Sequence, residues 1–370
     1  SVLQPGLAQP VNPILELAGT SSHPIALDPH QAALAWGWAA SCVALCIGIA
    51  SALRTRRRSL RLAAVLLGSG AGLVLLQLLQ VLGGAEFIYW VSGIPVDARE
   101  PFFGTFVNPN HAGILLAATL PVGLALARRG EQWGRILAGV ATGLVALGLW
   151  LCGSRGALLA GSGGIYMMGL VVVQPRTRLW MLGIALTLGL LVLGIGPEAV
   201  FVGMSEALVP ESVTQDSWSL RPEIWADTVS LIAQSPWVGV GIGGFETAFP
   251  LVKSSPQFSM TSHAHGESLQ VIAETGILPG LLWILAVAAP AGIGWRHAKE
   301  LGAGRRQHLT AAFLGSHTAL LIGSLFDFPF RIGAISLMLA SVCGILLARP
   351  GSTREAASPQ LQRLISMGLG

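Results

Sequence analysis

The side chains best suited to chemistry lie in and around one polar stretch, residues 196–266, of an otherwise apolar chain. This stretch contains Arg221 and ends in Ser262-His263-Ala264-His265, just where the next apolar run begins. A neutral imidazole can accept a proton near pH 7, and a guanidinium group binds phosphate oxygens well. The stretch therefore predicts a general base close to an anion-binding group.

His265 is the strongest candidate for the base. It precedes a long apolar run, with Thr261 and Ser262 available as helix caps. The positive end of the helix dipole disfavours an imidazolium ion there and favours an anionic ligand. Glu267 and Glu274 are nearby carboxylates that could orient the ring or act as bases in its place. A purely structural histidine at a helix start is the alternative.

Two arginines, Arg155 and Arg221, lie at positions where a positive charge is unusual. Arg155 lies in a very short connection between apolar runs, so it is expected to face a polar cavity unless it snorkels to the interface. Arg221 precedes Pro222 at the entrance of an amphipathic helix, which could carry it to a lipid headgroup or a lipid-linked phosphate. An ordinary solvated arginine is the alternative there. The predicted apolar face of this helix comprises Ile224, Trp225, Thr228, Leu231 and Ile232.

The run Asn108-Pro109-Asn110-His111 stands at the mouth of another apolar stretch. Its amide and imidazole groups offer donors and acceptors near the lipid boundary. A turn with a helix cap explains the run equally well, because Asn108 is held extended before proline and Asn110 can cap the helix. A helix cap does not account for His111, because capping requires no histidine at that position.

Two further patterns carry less weight. The segment Gly239-Val240-Gly241-Ile242-Gly243-Gly244 fits the dinucleotide pattern GxGxxG, but it follows a predicted helix and no βαβ unit can be drawn. It predicts a tight turn where chain packs closely on chain. His263 and His265 could pair on a metal ion, yet no clear further ligand accompanies them. No metal and no cofactor is therefore predicted.

The elements that must position these residues are membrane helices. The 370-residue chain is 52% hydrophobic and only 11% charged, whereas soluble domains average about 25% charged residues. Its non-alternating apolar runs suit helices crossing a hydrocarbon core of roughly 30 Å. The prediction is an all-α, polytopic membrane bundle with about nine visible spans: 32–53, 62–83, 109–127, 135–152, 156–173, 179–196, 268–293, 308–326 and 332–348.

Charge sets the predicted orientation. With residues 1–31 outside, the cytoplasmic connections hold most of the 22 basic residues and few of the 18 acidic ones, as the positive-inside rule requires. The layout is an outer segment (1–31), six spans (32–195), a large outer loop (196–266), three spans (267–348) and a cytoplasmic tail (349–370). The start has no signal-peptide pattern and resembles an internal loop, so we expect further spans upstream. Basic clusters such as Arg56-Arg57-Arg58 are interpreted as facing anionic lipid, with no nucleic-acid partner.

Together these motifs resemble the O-antigen ligase and polymerase-like membrane glycosyltransferases. The resemblance runs from about residue 100 to 348. It departs from the family pattern at Gly266, where Asn, Ser or Gln is usual, and at Pro279, where Gly, Thr or Tyr is usual. The residues that carry it are Asn108-Pro109-Asn110-His111, Ser154-Arg155-Gly156, Arg221-Pro222-Glu223-Ile224-Trp225, Ser235-Pro236-Trp237-Val238-Gly239-Val240-Gly241, His263-Ala264-His265-Gly266-Glu267-Ser268-Leu269-Gln270, Ala273-Glu274-Thr275-Gly276, His317 and Asp327-Phe328-Pro329.

The resemblance implies a GT-C-like, lipid-carrier-dependent enzyme of about twelve spans in the bacterial inner membrane. It would move a glycan from undecaprenyl diphosphate to a hydroxyl of lipid A core, a polysaccharide or a protein on the periplasmic face, without a metal and with inversion. It assigns the base to His265 and the binding of the leaving diphosphate to Arg221 and Arg155. The remaining polar residues, expected to bind substrate, are Asn108, Asn110, His111, Ser154, Glu267, His317 and Asp327.

Two other functions stay open at this point. A transporter of a small anion such as bicarbonate would need a continuous polar path, whereas the cytoplasmic halves of the spans are almost free of charge. An inactive scaffold of a polysaccharide-export machine is compatible with Gly266.

Overall fold

The computed structural model describes residues 27–53, 55–85, 87–90, 103–128, 131–173, 177, 217–254, 261–302 and 304–348. Within these ranges the regular structure is helical, apart from one isolated bridge between Phe103 and Phe106. The α-helices are α1 (Pro29–Ala52), α2 (Arg56–Leu82), α3 (Pro109–Ala127), α4 (Gln132–Leu151), α5 (Arg155–Val172), α6 (Ser217–Gln234), α7 (Phe245–Ala248), α8 (Glu267–Thr275), α9 (Ile277–Glu300), α10 (Arg305–Phe326) and α11 (Gly333–Leu347). Short 3-10 helices are Ile88–Trp90, Phe249–Leu251 and Pro329–Arg331.

Seven of the described helices are long and apolar enough to cross a membrane: α1 to α5, α9 and α10. The shorter α11 is apolar as well. The predicted all-α, multi-pass membrane architecture is therefore confirmed. The predicted span at 179–196 lies outside the described residues.

The predicted span at 268–293 is divided in the structure. Helix α8 ends at Thr275, and α9 begins at Ile277. Gly276, between them, has φ +87, and a Cβ there would lie 2.8 Å from the backbone nitrogen of Val238. The hydropathy pattern did not show this break, because the break depends on the backbone conformation of one residue and on its close neighbour.

Small residues hold the centre of the bundle together. A Cβ on Gly164 of α5 would lie 2.6 Å from the carbonyl oxygen of Gly315 on α10, and one on Gly323 would lie 2.9 Å from Ile114 of α3. Such close backbone approach is how membrane helices gain packing energy. Because α10 runs antiparallel to α3 and α5, its C-terminal end lies beside the N-terminal ends of both. This arrangement positions the candidate site.

A smaller second core covers the same end of the bundle. It contains Ile224, Leu231, Val240, Phe245, Ala248, Phe249, Ala264 and Ala273, from α6, α7, α8 and their connections. The backbone nitrogen of Gly241 donates to the carbonyl oxygen of Glu274 at 2.9 Å, and Gly239, at φ +67, leaves no room for a Cβ against Glu274. The interpretation of the glycine run as a tight turn with chain packed on chain is confirmed. So is the predicted apolar face of α6, all of which is buried or half-buried.

Candidate functional site

A buried carboxylate, Asp327, stands at the centre of the polar end of the bundle. Its Oδ1 lies 3.4 Å from His111 Nε2 and 3.6 Å from His265 Nδ1, and its Oδ2 lies 3.8 Å from Arg221 Nη2. Asp327 is only 2% exposed. We call these four residues the Asp327 cluster. In it, one acid faces three basic groups drawn from distant parts of the chain.

His111 reaches the cluster because α3 begins just before it. Asn108 is extended and its side-chain oxygen accepts a hydrogen bond from the backbone nitrogen of Asn110 at 2.8 Å. The cap is therefore Asn108, and not Asn110 as predicted, because Pro109 already occupies the first turn of the helix. The capped start fixes His111 in that first turn, where its side chain is buried.

His265 is held in a backbone conformation unusual for a side-chain-bearing residue, with φ +48. Its carbonyl oxygen accepts a hydrogen bond from Trp225 Nε1 at 3.2 Å. Helix α8 begins after Gly266 without a side-chain cap, so Thr261 and Ser262 do not serve as the predicted caps. The His265 side chain is 29% exposed, which makes it the accessible edge of an otherwise buried cluster.

The amphipathic helix forms over Ser217–Gln234, as its sequence pattern predicts, and Arg221 lies inside its first turns and not at its entrance. Its side chain is 3% exposed, and Nη1 donates to the carbonyl oxygen of Phe326 at 2.6 Å. A cation there stabilises the negative end of the α10 dipole. In this structure Arg221 therefore faces the protein interior and not a lipid headgroup.

The electrostatics of Asp327 favour its ionised form. Burial alone would raise its pKa, but contacts with His111 and His265 outweigh burial and hold the pKa well below its usual range. The carboxylate is thus charged at neutral pH. The guanidinium group of Arg221 supplies a compensating positive charge beside it.

An aromatic side chain, Phe328, organises the histidines. Its ring centroid lies 3.9 Å from that of His263, 4.8 Å from that of His111 and 5.3 Å from that of His265. Its backbone nitrogen donates to Asp327 Oδ1 at 2.9 Å. The residue after the central carboxylate therefore limits the orientations of three imidazole rings.

A second group of charges lies next to the Asp327 cluster. Arg331 Nη2 contacts Glu274 Oε2 at 2.8 Å, and Arg331 Nε contacts Glu267 Oε1 at 3.4 Å. Gln270 Nε2 donates to Glu274 Oε1 at 3.1 Å, and Gln270 Oε1 accepts from the backbone nitrogen of Ala264 at 3.0 Å. We call Arg331, Glu267, Glu274 and Gln270 the Arg331 network. Both glutamates thus pair with Arg331, while Asp327 takes the place beside His265 that the sequence suggested for them.

Burial shifts two titrating groups near this network. The pKa of Glu267 is raised to about 7, chiefly by burial and also by Glu274, against the lowering effect of Arg331. The pKa of His263 is lowered to about 4, chiefly by burial and then by the charges of Arg331 and His265. His263 is therefore neutral at pH 7.

Comparison with known proteins adds the family. Residues 112–284 match the family model described as O-Antigen ligase, a range that includes Arg155, Arg221 and His265. An O-antigen ligase from Pseudomonas aeruginosa (strain PAO1) is 28% identical over 143 residues, which cover 36% of this chain.

Over residues 112–284, a little under half of its length, this chain is therefore similar to the O-antigen ligase family. The match spans about a third, 34%, of the length of this curated relative. A solved structure titled "Structural coordination of polymerization and crosslinking by a peptidoglycan synthase complex" superposes with a TM-score of 0.43 at 18% identity, over 94% of this chain and 97% of that chain.

The other site residues predicted from the ligase resemblance fall into two groups. Arg155 is the first residue of α5, after Ser154, whose hydroxyl accepts from the backbone nitrogen of Ala157 at 3.3 Å. Gly156 packs against Phe326, so half-buried Arg155 lies at the same end as the Asp327 cluster. His317 lies elsewhere: it is about 15 Å further back along α10, with Nε2 3.0 Å from the carbonyl oxygen of Val287.

Two members of this region were not singled out from the sequence. Arg331 carries the same signal that identified Arg155, a cation at the end of the bundle where the predicted orientation disfavours one. Gln270 stands in the sequence motif that begins at His263 but was given no role there, since its role arises from its contacts with Ala264 and Glu274. Among the described residues, no group of three or more His, Cys, Asp or Glu side chains is placed to hold a metal ion.

Proposed function

We propose that this O-antigen ligase family protein transfers a glycan from undecaprenyl diphosphate to an acceptor hydroxyl at the periplasmic face of the bacterial inner membrane. The acceptor belongs to lipid A core, a growing polysaccharide or a protein. The observation that supports this most is the Asp327 cluster, in which a part-exposed histidine stands beside a buried carboxylate and an arginine.

His265 is the proposed general base. When Nδ1 carries the proton that points towards Asp327, Nε2 holds the lone pair that can accept a proton from the acceptor hydroxyl. The 3.6 Å separation from Asp327 Oδ1 is long for a hydrogen bond, but catalytic contacts often tighten when substrate binds. Asp327 acts as a positioning residue, because it selects the ring orientation without touching the reacting atoms.

The arginines are proposed to stabilise the leaving group. As the bond from the sugar to the diphosphate breaks, negative charge grows on the diphosphate oxygens, and fixed guanidinium groups stabilise such charge. Arg155 is half-buried and at the right end of the bundle, so it is the arginine we expect to contact the diphosphate directly. Arg221 is buried, and its charge acts through the cluster.

The chemistry is a single in-line displacement. The acceptor oxygen gives its proton to His265 and bonds to the anomeric carbon, while the bond from that carbon to the diphosphate oxygen breaks. Undecaprenyl diphosphate leaves with the bonding electron pair, and the configuration at the sugar carbon is inverted. The arginines supply the positive charge at the leaving group, so no metal enters the scheme.

Other polar groups at this end are proposed to bind the sugars or the carrier. His111 and Asn110 lie at the start of α3, and the Phe328 ring offers an apolar face beside them. Ser154 and Asn108 act first as helix caps, which fix the positions of Arg155 and His111. Glu267 holds the backbone of Phe330 and pairs with Arg331. His317 is too far along α10 to join them.

The test is transfer in nanodiscs from a defined undecaprenyl-diphosphate glycan to a panel of lipid, sugar and peptide acceptors. Wild type is compared with Arg155→Gln, and Arg135→Gln at the other end of the bundle serves as a charge-matched control. We expect transfer to at least one acceptor, a loss of about 100-fold for Arg155→Gln, and unchanged transfer for the control.

Absence of transfer to every acceptor by well-folded protein would contradict the glycosyltransferase function. Anion flux into liposomes under the same conditions would favour a transporter, and absence of both activities would favour a scaffold. Equal rates for wild type and Arg155→Gln would remove Arg155 from the mechanism while leaving the transfer reaction in place.

A further inference from the structure

A second polar feature lies at the end of the bundle opposite to the Asp327 cluster. A cleft of about 60 Å³ opens between the connection from α1 to α2, the start of α10 and the last turns of α9 and α11. Its polar lining consists of Thr55, Arg56, Ser59, Arg306 and Thr310. Helix α10 has 22 residues and is therefore about 33 Å long, so Arg306 and Asp327 lie at opposite membrane boundaries.

We propose that this cleft binds the phosphodiester headgroup of an anionic phospholipid from the leaflet opposite to the Asp327 cluster. Two guanidinium groups line it, and none of its described lining residues is acidic. Arginine matches phosphate oxygens with paired donors. Basic pockets between membrane helices are the sites where such headgroups bind.

Arg56 independently indicates that an anionic group binds in this cleft. Its Nε is buried and has no hydrogen-bond partner within the described part of the chain. A buried donor without an acceptor is unfavourable, and a phosphate oxygen in the cleft would supply the acceptor. Hydroxyl groups from Ser59 and Thr310 stand in the same lining and can also donate to phosphate.

The size and the walls of the cleft favour a lipid over a free ion. One water-sized probe needs about 10 to 15 Å³, so about 60 Å³ accommodates a group the size of a phosphate. Below the polar mouth the walls are apolar, with Leu309, Phe313 and Leu346 among them. A headgroup held at the arginines would therefore leave its acyl chains against hydrocarbon-compatible surface.

The first turns of two helices add to the positive potential. Both α2 and α10 begin at this cleft, and neither has a side-chain cap on its first amides. Uncapped helix starts carry a partial positive charge that favours anions. Here they reinforce the arginines.

The test uses purified protein in phosphatidylcholine nanodiscs, titrated with dioleoyl-phosphatidylglycerol, with bound lipid counted by native mass spectrometry. The double variant Arg56→Gln with Arg306→Gln is compared with Arg57→Gln with Arg61→Gln, which removes the same charge from exposed positions of the same region. We expect the cleft variant to bind phosphatidylglycerol about tenfold more weakly, and the matched control within twofold of wild type. Each single cleft variant should give an intermediate loss, which keeps the test valid if the double variant does not fold.

Three results would overturn the proposal. Equal losses for the two double variants would show general surface attraction and no cleft. Equal binding of phosphatidylcholine and phosphatidylglycerol would show no preference for an anionic headgroup. Displacement of the bound lipid by millimolar inorganic phosphate would assign the arginines to free phosphate.

Discussion

The Asp327 cluster and the Arg331 network are neighbours with opposite charge balance. In the first, one carboxylate faces Arg221 and two histidines. In the second, one guanidinium faces two glutamates, and the amide of Gln270 donates to one of these, Glu274. The network links α8 to the segment after α10. The cluster keeps an excess of basic groups and one part-exposed histidine.

This difference indicates that the Asp327 cluster and the Arg331 network have different functions, although both consist of charged side chains. A buried ion-pair network fixes geometry more than it adds stability, so the Arg331 network is suited to holding α8 and hence His265 in place. The Asp327 cluster, in which a part-exposed histidine lies beside a buried carboxylate, is suited to proton transfer. Variants in the Asp327 cluster and variants in the Arg331 network should therefore differ in their effects on transfer and on stability.

The largest expected effect is on the two histidines that flank Ala264. His265→Ala should lower the rate of glycan transfer by at least about 100-fold, because it removes the proposed base. His263→Ala should change it less than tenfold, because neutral His263 contacts Gln270 of the network. Transfer from undecaprenyl-diphosphate glycan, normalised to folded protein, measures both. Similar losses in both variants would mean that the two regions do not differ in chemistry.

The two buried arginines should separate activity from stability. Arg221→Gln should lower transfer by about 100-fold, a loss comparable to that of one oxyanion donor, because it leaves Asp327 without the guanidinium group that lies 3.8 Å from it. Arg331→Gln should lower the free energy of unfolding by on the order of 2 kcal/mol, less than for a fully buried pair, because its side chain is 21% exposed. Its transfer rate per folded molecule should stay within a few-fold of wild type.

Transfer rates and thermal unfolding midpoints of both arginine variants, measured in the same nanodiscs, test this separation. A stable but inactive Arg331→Gln protein would place Arg331 among the catalytic groups and would contradict a purely positioning role for its network.

The pH dependence of stability should depend on Glu267. Its pKa in the folded protein, about 7, lies above the ordinary value of 4.5, so between these pH values the folded state binds more protons than the unfolded state. Stability should therefore fall as pH rises from about 4.5 to about 7 and then level off. Glu267→Gln should flatten this fall, since the amide does not titrate.

The measurement is the thermal unfolding midpoint at pH 5 and pH 8, with Glu246→Gln as a control at an exposed glutamate of α7. The control should keep the wild-type pH dependence. If both variants flatten the curve equally, the fall does not originate at Glu267.

The smallest expected effect concerns Gly266, where family members usually carry a side chain. Its φ is −171, and an added Cβ would lie 3.4 Å from Trp225 Nε1. Gly266→Ser should therefore fold, with transfer within about threefold of wild type, because the space is sufficient and the backbone is unstrained. A gain of tenfold or more in the transfer assay would show that the side chain missing at this position limits the reaction.

Some members of the candidate site could be singled out from local sequence patterns alone. Arg155 was identified by an unusual cation in a short connection, and His265 by an imidazole at the start of an apolar run. The central role of Asp327 could not be predicted in this way. It depends on α10 running antiparallel to α3 and α5, which brings residue 327 beside residue 111, far away in sequence.

Contacts between distant segments also explain why the predicted partners and caps of His265 differ from the observed ones. Glu267 and Glu274 are close to His265 in sequence, yet Arg331 binds both because the segment after α10 returns to α8. Thr261 and Ser262 have the right composition for caps, but the chain reaches α8 through Gly266 in an extended conformation.

By itself, the sequence determined that this is an all-α membrane protein, because residues compatible with hydrocarbon in runs of membrane length leave few other structures. The sequence also indicated which polar motifs lie at the same end of the helical bundle, because the distribution of charge predicts on which side of the membrane each connection lies. Only the tertiary structure decided which carboxylate partners His265, and where the apolar run breaks into α8 and α9. Those outcomes depend on close contacts between distant segments and on the backbone conformation of single residues such as Gly276, which no local pattern encodes.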